Sequence, residues 1–302
     1  MKLPIKCPLC LSKQIKPKVV SSKIYGDQKR KRAFFLCKKC DVRYLFPQLS
    51  ADEEKLFYKK EFEPFMHKRS GESSGWLKAD KHIKQNNETF RRRLKYIKPH
   101  VLRNDTILEV GCSSGFMLYP FLKKGHDCVG IEPSGVFSDF VRKKGINIYE
   151  SLKKLSHKEK NKFDIIFHFF VLEHASDPLK FLKDQLSLLK NGGKIIFEVP
   201  NVADPLYTIY KVPAFEKFYW SIAHHWYFSE KSLKFLLKKL GKPYKIFFDQ
   251  RYDLSNHIIW ARDGKPGGTG RFKNKLGNNI ESNYKRSLIK SGFCDTLIGI
   301  IS

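Results

Sequence analysis

No apolar run in the 302 residues approaches the roughly 20 that a membrane span needs; the longest, such as 165–172, reach about eight and enclose His168. The opening Met1-Lys2-Leu3-Pro4-Ile5-Lys6-Cys7 carries no apolar leader core, so the expected compartment is cytoplasmic. Cysteine is sparse, at seven, whereas a secreted disulfide scaffold would be shorter and denser in it. Acidic residues are also few, 30 against 58 Lys and Arg, for a net charge of +28. That balance points to anionic partners: nucleic acid, or nucleotide-linked and phosphorylated substrates. Yet 45 lysines against 13 arginines, spread along the chain, also read as a lysine-rich composition. The runs Lys29-Arg30-Lys31-Arg32 and Arg91-Arg92-Arg93 fit solvated faces. What is present supports a real core: 41% hydrophobic and 14% aromatic residues, enough for one large domain or two modest ones.

Residues 1–48 hold two Cys-x-x-Cys pairs with β-type segments between them. Residues 49–100 read as a helical connector or cap, with an acidic start at Ala51-Asp52-Glu53-Glu54 and one-face apolar spacing over 76–97. From 101 to 262, apolar runs at 106–111, 128–131, 146–149, 163–171 and 194–199 alternate with helical stretches. That alternation predicts βαβ units and a parallel sheet covered on both faces. The runs 244–248 and 257–261, joined by a short link, predict an antiparallel hairpin closing the sheet edge. Residues 263–302 are expected to be a Gly-rich linker and a tail whose apolar end, 296–301, can add an edge strand within the chain or to a partner.

Two motifs carry chemistry. Cys7-Pro8-Leu9-Cys10 and Cys37-Lys38-Lys39-Cys40 are knuckles that each aim two thiolates at one ion. Four thiolates leave no open coordination position, so the expected zinc is structural and anchors a segment too small to fold by burial alone. The second is Glu109-Val110-Gly111-Cys112-Ser113-Ser114-Gly115-Phe116, an apolar strand entering a Gly-rich turn where backbone approaches a ligand closely. Glu132, after the next strand, is placed to accept both hydroxyls of a ribose.

At these residues the sequence resembles the class I S-adenosylmethionine-dependent methyltransferases. Ile107-Leu108-Glu109-Val110-Gly111-Cys112 looks like their first glycine motif, with Ser113 where many members have Gly; Gly130-Ile131-Glu132 looks like the ribose-binding acid. Val171-Leu172-Glu173-His174 with Asp177-Pro178 looks like the end of the fourth strand, and Gly192-Gly193-Lys194 precedes the fifth. The resemblance implies a Rossmann-like α/β fold with a seven-stranded methyltransferase sheet, parallel with an antiparallel edge hairpin, behind a small N-terminal zinc ribbon. It implies S-adenosylmethionine as cofactor, held by Glu109, Gly111, Cys112, Ser113, Gly115 and Glu132. The ribbon, Tyr58 and His225-Trp226-Tyr227-Phe228-Ser229 resemble a subgroup that modifies deoxysugars and surface-polysaccharide precursors, which implies a nucleotide-linked sugar or glycan precursor as acceptor. RNA stands as the alternative acceptor, although no N/D-P-P-Y/F/W signature follows the fourth strand. A non-catalytic zinc-ribbon binding module is the third reading.

The candidate catalytic residues are His225, His174 and Tyr58, with His224 beside His225 and either able to point inward. His168, inside its strand, fits a packed imidazole, and Glu109 fits a role ordering the Gly-rich loop through backbone N–H groups. The aromatic-rich stretch within about 201–228 reads as an acceptor lid, or as a satellite core under a long loop.

Overall fold

The computed structural model of the chain describes residues 2–27, 31–70, 78–133, 135–156 and 159–302. Trp76 and Leu77 of the expected helix, and Lys29 and Arg30 of one basic run, lie outside the described residues. The strands are β1 (Lys18–Ser21), β2 (Ala33–Leu36), β3 (Arg43–Phe46), β4 (Thr106–Val110), β5 (Asp127–Ile131), β6 (Asn147–Tyr149), β7 (Phe163–Phe169), β8 (Leu189–Pro200), β9 (Trp226–Tyr227), β10 (Tyr244–Asp249) and β11 (Thr296–Ile301). Seven of them form one mixed sheet in the order β10-β11-β8-β7-β4-β5-β6. From β6 to β8 all neighbours are parallel, whereas β11 runs antiparallel to both β8 and β10. The order turns back between β4 and β7, and that reversal opens a crevice at the carboxyl ends of the strands where open α/β sheets bind ligands.

The antiparallel edge pair is present, but its members differ from the expected ones. Residues 257–261 belong to the helix Leu254–Asp263, not to a strand. Asp253 caps that helix by accepting from Asn256 N–H, and Gly264 closes it in the left-handed conformation at φ +65°. The partner of β10 is instead β11, from the expected tail. That strand is buried at every residue, and it fits because position 299 is glycine: a Cβ there would run into the ring of Phe197 on β8.

The expected ribbon is not a free module. Strands β1, β2 and β3 form an antiparallel sheet whose fourth member is β9, with Tyr44 opposite Trp226 and Arg43 opposite Tyr227. One continuous core joins Cys7, Phe35 and Tyr44 of the ribbon to Trp226, Phe228, Leu233 and the sheet residues Leu108 and Phe197. A second core lies on the other face under the helix Asn87–Ile97. That helix is tied down by buried charge: Arg92 and Arg93 both grip Glu198 of β8, at 2.7 Å from Arg92 Nη2 and 2.8 Å from Arg93 Nε. Burial alone would raise Glu198, but the two arginines hold its carboxyl down at about 2. The aromatic stretch is largely a satellite core, with Trp220 and Tyr227 fully buried against Phe34 and Leu45, while Phe228 belongs to the first core. No helix of the described residues is long and apolar enough to cross a membrane.

Candidate active site

The turn after β4 is shaped for a ligand. Gly111 sits at φ +73° with its N–H on Ile131 O at 2.8 Å, and an added Cβ would lie 2.7 Å from Val171 Cγ2. Ser113 follows at φ +43°, and its N–H donates to Glu132 Oε2 at 2.7 Å. The carboxylate that orders this loop is therefore Glu132. Glu109 was the expected one, but it stays buried with Oε2 unpaired. Burial pushes the Glu109 carboxyl well above its usual range, and Arg93 opposes that only in part. His82, on the helix Ala79–Gln85 above the turn, meets Ser114 Oγ through Nδ1 at 2.8 Å.

A cavity of about 1350 Å³ opens above these residues. Single-ligand pockets span roughly 300–1,000 Å³, so this one has room for a cofactor and an acceptor together. Of the expected cofactor residues, Glu109, Gly111, Ser113 and Glu132 line it. Cys112 and Gly115 are absent from the lining. Cys112 turns into the core against Gly130, and Gly115 shapes the turn at φ +72°.

At the far end the segment after β7 presents Glu173 and His174, and the segment before β9 presents His224. His174 Nδ1 lies 2.6 Å from Ala223 O and 3.0 Å from Tyr58 Oη. A carbonyl can only accept, so in the neutral ring Nδ1 carries the hydrogen and Nε2 keeps its lone pair, while the Phe170 carbonyl, like that of Ala223, favours the protonated ring. The tyrosine hydroxyl reaches the same carbonyl at 3.5 Å, from a π-helical turn at Phe57–Glu61. His174 Nε2 is 3.9 Å from Glu173 Oε1, and the His224 ring stands nearly perpendicular to that of His174, centroids 4.8 Å apart. Burial lowers His174 to about 4 despite the Ala223 carbonyl, and lowers His224 well below its usual value. Burial raises Glu173 to about 8, and neither of its oxygens has a hydrogen-bond partner. His225, the first-named base candidate, is not among the lining residues. Its N–H pins Glu173 O at 2.8 Å, and its fully buried ring sits beside Glu54, 3.0 Å away but out of line for a hydrogen bond. Within the strand itself, His168 is the packed imidazole expected, stacked on Phe197 and lowered by burial to about 3.

Each buried histidine contributes acid lability, which the raised carboxyls of Glu109 and Glu173 oppose. Burial holds His82 and His257 at about 4, as it does His174. An unfolded chain takes up those protons near pH 6.5 and the folded chain does not, so their stabilisation is full above 6.5 and is lost as pH falls toward 4. In denaturant titrations, His257→Gln is therefore expected to raise stability at pH 5 relative to pH 7 by roughly 2 kcal/mol, at about 1.4 kcal/mol per proton per pH unit between 6.5 and 5. An unchanged pH dependence in that variant would contradict the burial of His257.

Residues 81–241 match the family described as a methyltransferase domain. The chain belongs to that family. Among curated proteins, this methyltransferase-domain chain is similar to the ubiquinone biosynthesis O-methyltransferase of Coxiella burnetii, 32% identical over 126 residues that cover 39% of this chain and 54% of the relative. It is also similar to the tRNA U34 carboxymethyltransferase of Helicobacter acinonychis, 32% identical over 115 residues covering 35% and 44%. The chain thus spans about half the length of the curated relatives it matches. Among solved structures, a SAM-dependent methyltransferase from Archaeoglobus fulgidus aligns at TM-score 0.48 and 20% identity, over 71% of this chain and 93% of that one.

The four ribbon cysteines converge. Their sulfurs lie within 4.8 Å of one another, with Cys7–Cys40 at 3.8 Å and Cys10–Cys37 at 3.5 Å. Zn–S bonds of about 2.3 Å in a tetrahedron put sulfurs roughly 3.8 Å apart, so this donor set fits a zinc ion. Glu173, His174 and His224 are similarly close, but two arginines act on them electrostatically, which disfavours a cation there. Glu173, Arg69 and Arg251 were not singled out as site residues from sequence, and His224 stood only as the alternative to His225. The signal for Glu173 was its place beside His174; for the arginines there was none.

Proposed function

We propose that the protein transfers the methyl group of S-adenosylmethionine to a small acceptor and that His174 takes up the acceptor's proton. The observation that carries this is the tautomer that Ala223 O imposes on His174, which leaves Nε2 a lone pair beside Glu173 in a cavity that also holds Gly111 and Glu132. When bound, S-adenosylmethionine supplies an already activated methyl group, so the chain's own work is alignment, exclusion of water and proton removal. Glu132 is suited to the ribose hydroxyls, and the strained turn at Gly111 and Ser113 brings backbone close to the ligand. His174, with its pKa near 4, is neutral at physiological pH and available as a base. Tyr58 acts through His174 and is a positioning residue; His225 holds Glu173 from behind and is another. The acceptor we propose is a nucleotide-linked sugar or surface-glycan precursor, and the four cysteines hold a structural zinc.

Transfer of labelled methyl from S-adenosylmethionine to a panel of nucleotide-linked sugars tests the reading, with a tRNA pool as the competing arm. His174→Ala is expected to lower turnover by about 10²–10⁴-fold, the usual worth of a positioned base, with S-adenosylhomocysteine affinity unchanged. Full turnover in that variant removes His174 as the base. Labelling of RNA alone removes the sugar.

A further inference from the structure

The acceptor end of the cavity carries more positive charge than the folded chain neutralises. Arg69 reaches it from the helix Phe62–Ser70, with its guanidinium carbon 4.4 Å from the centroid of the Phe218 ring. Among the described residues, one Nη2 bond to Phe218 O, at 3.4 Å, is its only hydrogen bond, and Nε is buried with none. Among the described residues no carboxylate pairs with Arg69. Burial pulls its pKa down and the nearby Arg251 pulls in the same direction.

Arg251 lines the same cavity. It meets Asp295 through Nε alone, at 3.4 Å, with its guanidinium 4.2 Å from the Phe170 centroid. That carboxylate is shared with the backbone N–H groups of Arg251 and Tyr252 and with Gln250. Lys285 adds a third cation, its Nζ donating to Arg251 O at 2.7 Å. Of the other carboxyls that act on Arg251, Glu198 is already gripped by Arg92 and Arg93, whereas Glu173 and Asp204 are mostly protonated at neutral pH because burial raises each to about 8. A guanidinium withdrawn from water without a counter-charge is costly, and such a group persists where a ligand supplies the charge. Its planar fork, fixed by stacking on an aromatic ring, suits the bidentate geometry of phosphate and carboxylate.

We infer that Arg69 and Arg251 form a subsite for an anionic group, phosphate or carboxylate, carried by the acceptor. This rests on the reading of the cavity as a methyl-acceptor site. The bound anion sets the distance from the rest of the acceptor to His174 Nε2, so uncharged analogues lose their alignment and not merely some affinity.

The test titrates inorganic phosphate, and separately acetate, into protein saturated with S-adenosylhomocysteine, by calorimetry at constant ionic strength. Wild type is expected to bind at least one of the two. Arg69→Gln is expected to bind it about tenfold or more weakly, the loss of a charge-assisted bidentate pair, with Arg69→Lys in between. Arg142→Gln removes an exposed arginine that pairs with Asp139 away from the cavity lining and is expected to behave as wild type. Without added anion, Arg69→Gln is expected to melt at or above the wild-type temperature, since it removes an uncompensated charge; a purely structural Arg69 would give a lower one. Tighter phosphate than acetate binding indicates a phosphorylated acceptor, and the reverse a carboxylated one. The subsite is overturned by no binding of either anion, by unchanged affinity in Arg69→Gln, or by an equal loss in Arg142→Gln. Failure to bind S-adenosylhomocysteine, with Arg69-dependent phosphate binding intact, would remove the methyltransferase reading and leave the subsite standing.

Discussion

Gly111→Val is expected to abolish S-adenosylhomocysteine binding. Position 111 sits at φ +73°, a region where a β-branched residue is strained by roughly 1–3 kcal/mol. The new side chain would also start 2.7 Å from Val171 Cγ2, in the wall that the ligand must pass. Relief requires moving either the turn, which carries the Ser113 N–H to Glu132, or the segment leading to Glu173 and His174. Because that variant could also fold poorly, Glu132→Ala provides the second arm. It adds no bulk and removes the carboxylate that we propose for the ribose. At about 1.5–3 kcal/mol per hydrogen bond to a charged group, affinity should fall by roughly 10–100-fold. Calorimetry decides: wild-type affinity in both variants would sink the cofactor seat.

Cys37→Ser should have the largest effect on stability. A structural zinc contributes on the order of 10 kcal/mol to a small fold, and three thiolates with a hydroxyl hold it far less well. Zinc content is expected to drop from one per chain toward zero, and the ribbon to melt. The damage should not stop there. Leu45 N–H donates to His225 O at 2.9 Å, β3 pairs with β9, and Trp226 Nε1 donates to Ala175 O at 2.7 Å. Loss of the ribbon thus loosens the segment that carries Ala223 and His224. Hydrogen exchange should speed up at 223–228 while the amides of β4 and β5 stay protected. Unchanged exchange at 223–228 would show that the ribbon does not support the site.

The sheet was legible because strand and helix periods alternate cleanly from 106 to 200, and the family motifs fall at strand ends. The hairpin at 257–261 was misread because Ile258-Ile259-Trp260 has strand-like composition. The bracketing Asp253 and Gly264 were the better signal, being the cap and terminator of a helix. The choice between His224 and His225 turns on which side of the chain faces the cavity, and adjacency in sequence cannot decide that. Cysteine spacing exposed the ribbon, but the pairing of Tyr44 with Trp226 joins residues too distant in sequence for any periodicity to report. The aromatic stretch served both readings: Trp220 and Phe228 are core, whereas Phe215, Phe218 and Tyr219 reach the cavity. Arg69 carried no pattern at all, because an unpaired charge is defined only by what surrounds it.

Strand β11 has a consequence for synthesis. It separates β8 from β10, so β10 has no neighbour in the sheet until residues 296–301 are made. The intervening stretch, 250–295, takes a few seconds to translate at about 5–20 residues per second. During that interval the β8 edge, with Ile195, Ile196, Phe197 and Val199, stands open on the ribosome-bound chain. Such an edge is a template for wrong pairing. Chaperone demand during synthesis should therefore concentrate in that window, and a slow-codon cluster within 250–295 should lower soluble yield more than the same cluster placed upstream of β8.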